Sequence, residues 1–198
     1  LAHTVKWAVS SHFCMKPLEM GGKAYPRSAN FGDCAAIFRP TGDVLLQIAA
    51  EYPDEQIAGL SRWLFDKTYA APTLGPDELA TFGFFNQFGY RSLQYLPRAK
   101  AALSPDAAGM PLLNIYKTGV TTLRDSWSEP KTILAVETGY EPHTVDSHRH
   151  RDQNSFILVH RNERFIADPG HCCYRLETWK KSCTSAYHST WDFEDESG

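Results

Sequence analysis

The chain has 198 residues, 42% of them hydrophobic and 13% aromatic. That is enough apolar material for one large packed domain or two small ones, and it is not the composition of a disordered chain. The formal net charge of −3 supplies no basic field to recruit nucleic acid, and no run of 18 apolar residues is present, so neither a nucleic-acid partner nor membrane insertion as a helix is expected.

The five cysteines give neither a disulfide framework nor a thiolate zinc site: Cys172 and Cys173 are adjacent, and Cys14 and Cys34 lack CxxC spacing. Buried thiols are the expectation. The chain opens on Leu1 and closes on the polar FEDESG, and it reads as a piece of a longer protein, so the lack of a visible signal peptide leaves the compartment open.

In chain order, TVKWAVSSHFCMK spaces Val5, Ala8, Val9 and Phe13 as a helix does. EMGGKAYPRSANFGD, punctuated by Gly21, Gly22, Pro26 and Gly32, is expected as loop. GDVLLQIAAEY predicts a short amphipathic helix opened by Asp43. PDEQIAGLSRWLFDKTY predicts a second, started by Pro53 and Asp54, with Ile57, Leu60, Leu64 and Phe65 on one face. APTLGPD is a turn, and ELATFGFFNQFGYRSLQYL is a further helix weakened by Gly83 and Gly89. Near residue 112 the pattern changes. LLNIYKTGVTTLRDSW, TILAVETGY, SFILVH and RFIADPG are β-branched or aromatic runs separated by polar turns, with VHRNERF as a hairpin turn. The expectation is an α+β chain in two segregated parts, helical over 1–111 and antiparallel strands over 112–198.

The densest chemistry lies in SHRHRDQNSF, residues 147–156. On an extended segment His148 and His150 share a face, roughly 7 Å apart. Asp168 follows the second strand of the expected hairpin and so returns near His150; His188 is a later candidate. Two imidazoles and a carboxylate suit zinc, with a further position for water or another group. The same histidines also read as ordinary strand-surface residues bonded to Asp152 or Asp168. Arg149, Arg151, Arg161 and Arg164 surround them, either to grip carboxylates and sulfates or as a solvated hairpin face.

HRHRDQNSFILVHRNERFIADPGHCCY followed by SCTSAYHST resembles the heparinase II/III-like family of polysaccharide lyases, which includes oligoalginate lyases and heparin and heparan sulfate lyases. The resemblance runs through His148, His150, Asp152, Ser155, Phe156, Asp168, Pro169, Gly170, Tyr174, Thr184 and His188, and the NFGD of Asn30–Asp33 is similar to a segment late in the family's helical half. It implies the last helices of an incomplete α/α toroid followed by the start of an antiparallel β-sandwich.

It further implies β-elimination on an acidic polysaccharide or oligosaccharide containing uronic acid. His148 would be the catalytic histidine, Arg149 and Arg151 would bind substrate, and His150, Asp168 and His188 would hold a structural zinc or another divalent metal. A periplasmic or secreted location comes with that family. Two departures stand out: no segment matches the family's tyrosine acid/base, and His188-Ser189-Thr190 replaces the usual His-Asn-Thr. The stretch alone is therefore expected to be inactive. A uronyl C5-epimerase on the same scaffold and a non-catalytic carbohydrate-binding or metal-stabilised module are the alternatives.

Overall fold

Helix α1 (Ala2–Ser11) forms on the predicted spacing, with Val5 and Val9 buried one turn apart. It stops where His12 turns extended and pairs with Ser28 in an antiparallel bridge. The computed structural model describes residues 1–20, 23–34, 40–69, 90–139, 150–170 and 177–191. Part of the stretch expected as loop is a hairpin, β1 (Leu18–Met20) and β2 (Lys23–Tyr25), with Leu18 opposite Tyr25 and Met20 opposite Lys23. Two glycines between short runs are a hairpin signal; the density of Gly and Pro across the whole stretch concealed it.

Helices α2 (Gly42–Glu51) and α3 (Glu55–Tyr69) lie where the sequence predicts them. Asp43 sits in the first turn of α2, while Thr41 takes its N-cap position. Asp54 starts α3 by accepting the amides of Gln56 at 2.9 Å and Ile57 at 3.2 Å, which satisfies donors that the first turn leaves open. Of the helix expected over 78–96, α4 (Tyr90–Tyr95) is described; the rest lies outside the described residues.

The chain divides into two compact units. The first holds Leu1–Ser28, Ile37–Pro111 and Trp127–Glu129; the second holds Ala29–Ala36, Leu112–Ser126 and Pro130–Gly198. The core of the first is built from α1, α2 and α3, including Val9, Leu46, Leu60 and Leu64, closed by Trp127, whose indole N–H donates to the Met110 carbonyl at 3.1 Å.

The second unit is a five-stranded antiparallel meander in sequence order: β3 (Leu113–Ile115), β4 (Val120–Arg124), β5 (Thr132–Glu137), β6 (Phe156–His160) and β7 (Glu163–Ile166). The run LLNIYKTGVTTLRDSW thus holds two strands. They turn at Gly119 (φ 96°), where a Cβ would strike the Gly139 carbonyl. Arg161 and Asn162 join β6 to β7 with φ of 44° and 73°, the positive pair that a tight two-residue hairpin requires.

Side chains alternate across the sheet. Thr122, Ile133, Ala135, Ile157 and Val159 are fully buried on one face. On the other, the register lines up Leu113, Leu123, Leu134, Leu158 and Ile166, an aliphatic row across all five strands. Its β3 and β4 members are exposed, as is Ile115 at 72%. The architecture is mixed helix and antiparallel sheet, an α+β chain.

Candidate metal centre

The entry to β6 and the exit from β7 carry the polar residues. Before β6 the chain bends: Asn154 has φ 64°, and the Ser155 amide donates to the Asp152 carbonyl at 2.8 Å. The Arg151 amide donates to the Cys183 carbonyl at 3.0 Å, which ties this entry to the segment bearing His188. That segment runs through a short helix, α5 (Thr178–Ser182), and a 3₁₀ turn, Ser185–Tyr187. The bend, the tie and the turn bring His150, Asp152 and His188 together, one ligand atom from each lying within 4.8 Å of the others. The two imidazole rings stand 5.5 Å apart, centre to centre.

Asp152, Asp168 and His188 are 1%, 4% and 8% exposed, so their polar atoms must find partners inside the protein. Asp168 does. Its Oδ1 accepts the Gly170 amide at 2.9 Å, and its Oδ2 accepts the Ser155 hydroxyl at 2.6 Å and faces His188 Nδ1 at 2.8 Å. Two buried atoms do not: among the described residues, His150 Nδ1 and Asp152 Oδ1 have no hydrogen-bond partner.

The protonation of His188 follows from its neighbours. Its Nε2 lies 2.7 Å from the Ser182 carbonyl, which only accepts, so Nε2 carries a hydrogen. Nδ1 then faces a carboxylate oxygen, and two lone pairs cannot meet at 2.8 Å without a cation between them. At that distance the cation is a shared proton. Burial, the largest influence, works against a charged ring. The hydrogen bond and charge of Asp168, helped by the Ser182 carbonyl and Asp152, outweigh it and raise the His188 pKa. His150 goes the other way: burial lowers its pKa, only partly opposed by Asp152, with His188 lowering it further. It presents a neutral imidazole, which is the metal-ligating form.

Two imidazoles and a buried carboxylate are a donor set that fits zinc or a similar divalent ion. The orphaned Nδ1 and Oδ1 are what such an ion would satisfy. Charge agrees: once the His188 proton gave way to the ion, the two buried carboxylates would stand against one divalent cation.

The family description "Heparinase II/III-like, C-terminal" matches residues 109–197. This segment is a heparinase II/III-like domain. Sixteen solved chains match, and one, from "Crystal Structure of Heparinase III", covers 88% of this chain at a TM-score of 0.50 and 15% identity. At that identity the likeness speaks to the fold alone. This chain spans 22% of the length of that heparinase III chain. No curated protein matches.

Within the heparinase II/III-like domain, the residues singled out in the sequence fall unevenly. His150 and His188 come together. The carboxylate grouped with them is Asp152; Asp168, the carboxylate expected there, has its oxygens bonded to Ser155, Gly170 and His188. Asp152 is two residues past His150 in the bend before β6, close enough in sequence to be a candidate beside it.

His148, Arg149, Cys172, Cys173 and Tyr174 lie outside the described residues. Arg151 and Arg161 are exposed, whereas Arg164 donates to the Asn30 side chain at 2.8 Å and belongs to an internal network. Asn30 and Gly32 are the functional residues whose role sequence reading missed. Asn30 Nδ2 donates to the Asp168 carbonyl at 2.9 Å, and the Gly32 amide donates to Asp152 Oδ2 at 2.6 Å. NFGD resembles a family segment, but no local pattern in it announces contacts spanning 120 residues or more.

Proposed function

We propose that the protein is a polysaccharide lyase that cleaves uronic-acid glycans by β-elimination, with a structural divalent metal, zinc by its donor set, held by His150, Asp152 and His188. The observation that carries the reading is the buried His150–Asp152–His188 group inside a heparinase II/III-like domain. When bound, the ion supplies structural charge compensation, tying the entry of β6 to the His188 segment. Asp168 holds the His188 ring. His148, next along the motif from His150, is the catalytic histidine of this reading, since imidazole is the side chain that ordinarily titrates near neutral pH.

In the reaction a base removes the proton at C5 of the uronate, the C4–O bond breaks, a C4=C5 double bond forms, and the departing oxygen takes up a proton. Arg149 and Arg151 bind the acidic chain through paired hydrogen bonds. The acid that protonates the leaving oxygen has no match in this stretch. The sheet's aliphatic row, two of its five members exposed, supports the proposal that the sheet opens a β-sandwich, since an apolar sheet face is buried by a second layer. The helices of the first unit are proposed as toroid helices, and the location as periplasmic or secreted.

The test is to incubate the protein, in its longest natural form, with alginate, heparan sulfate, chondroitin and hyaluronan and to follow the unsaturated uronate chromophore. A rise on one of them, abolished by His148→Ala with metal content unchanged, is expected. No rise on any refutes the lyase. Exchange of the C5 proton without cleavage would mark an epimerase, and retention on a polyuronate with neither reaction would mark a binding module.

A further inference from the structure

Asp152 lies 120 residues from Gly32, and Asp168 lies 138 residues from Asn30, yet both carboxylate-bearing residues are held by that one short segment. We propose that residues 30–34 form a clasp that positions the carboxylates of the metal centre, with the Asn30 side chain and the Gly32 N–H as its positioning groups. The proposal rests on the metal reading above.

A carboxylate has two oxygens, and fixing one sets the direction of the other. The Gly32 N–H takes Asp152 Oδ2 at 2.6 Å. The remaining oxygen, Oδ1, is buried with no hydrogen bond among the described residues, which leaves it available to an ion shared with His150 and His188. Without Gly32 the Asp152 carboxyl would be free to rotate and offer either oxygen in several directions.

Asn30 works on the backbone behind the second carboxylate. It is 2% exposed and uses both ends of its amide: Nδ2 donates to the Asp168 carbonyl at 2.9 Å, and Oδ1 accepts from Arg164 Nη2 at 2.8 Å. Asp168 in turn orients His188 through Oδ2. The seat is tight. Gly170, at φ 57°, lies against the clasp, where a Cβ would strike the Cys34 carbonyl and the Asn30 side chain. That contact accounts for glycine at the end of the ADPG turn. Neither Asn30 nor Gly32 belongs to the ligand group; they act through Asp152 and Asp168, as outer partners of metal ligands do.

The test compares wild type, Asn30→Ala and Asn30→Asp, each in the longest natural form of the protein. Zinc affinity is measured by chelator competition, the visible absorption of the cobalt-substituted protein reports ligand geometry, and thermal unfolding is followed in the metal-free state. Both variants should bind zinc roughly ten- to a hundredfold more weakly and show a changed cobalt spectrum. Asn30→Asp keeps an acceptor for Arg164 but replaces the N–H toward Asp168 with an oxygen and adds a carboxylate that Arg164 can pair, so it carries the test if Asn30→Ala does not fold. Variants that unfold at lower temperature but keep wild-type zinc affinity and cobalt spectrum would overturn the clasp, leaving Asn30 a structural residue. A wild type that binds neither zinc nor cobalt overturns the metal reading, and the clasp with it, whatever the variants do.

Discussion

Replacing Asp168 with alanine tests whether this carboxylate holds the site together in the absence of metal. In the folded chain it serves three donors: the Ser155 hydroxyl at 2.6 Å, the Gly170 amide at 2.9 Å and His188 Nδ1 at 2.8 Å. Its side chain and that of His188 are wholly buried, so water cannot replace it without opening the fold. Each orphaned donor costs about 1–3 kcal/mol. Removing one partner of a buried charge pair costs about 3–5 kcal/mol. The three bonds share one acceptor group, so these figures overlap and do not add; a loss of about 3–5 kcal/mol is expected. Against a total stability of about 5–15 kcal/mol that is a large fraction.

Denaturant unfolding should be run with a strong chelator present. If Asp168 mattered only as a ligand, chelated wild type and chelated Asp168→Ala would unfold at the same denaturant concentration, and the reasoning here would be refuted. Ser155→Ala is the internal control: it deletes one donor and leaves the other two bonds in place, so about 1 kcal/mol is expected.

The metal-free protein should also show a two-sided pH dependence. His188 has a folded pKa above the ordinary value of about 6.5, so its contribution is fully present below that pH and is lost as pH rises through the folded value. His150 has a folded pKa below it, so its penalty is absent above about pH 6.5 and grows as pH falls through the folded value. Melting temperature against pH, in chelator, should therefore lose its alkaline slope in His188→Gln and its acid slope in His150→Gln; variants with wild-type profiles would contradict both assignments. In the sheet, Ile157→Ala empties a fully buried position on β6 and should cost about 2–5 kcal/mol by denaturant midpoint, without altering zinc stoichiometry.

The strands were legible because period-two alternation is written in neighbouring residues. Ile133, Ala135 and Glu137 turn inward on β5, Ile157 and Val159 on β6, and the polar break between His160 and Glu163 marks the turn. Helices α2 and α3 were legible for the same reason at period 3.6, with Asp54 supplying a start signal. The β1–β2 hairpin was obscured because Gly21 and Gly22 sit among other loop-forming residues, and strands of three residues carry almost no periodicity. The site divides along the same line. His150 and Asp152 are two residues apart in sequence, so their nearness is local. Asn30 reaches Asp168 only because the folded chain returns there, and local physics does not encode such a contact.

If the proposed metal binds, a proton and the metal compete for His188 Nδ1, and the bonds to Asp168 bear on both states. The Ser182 carbonyl fixes Nε2 as a donor, which leaves Nδ1 as the only ring atom of His188 able to meet a cation. With a proton there, the Asp168–His188 pair is a buried ion pair, stable only because Ser155 and Gly170 also bond the carboxylate. With a metal there, the same outer bonds keep the carboxylate from turning away. A carboxylate held by its own backbone turn and by a neighbouring hydroxyl stays beside the His188 ring in either state. Metal release should then leave the second unit folded but less stable. It should also make zinc affinity rise with pH until the His188 proton is gone, since each metal bound must displace it.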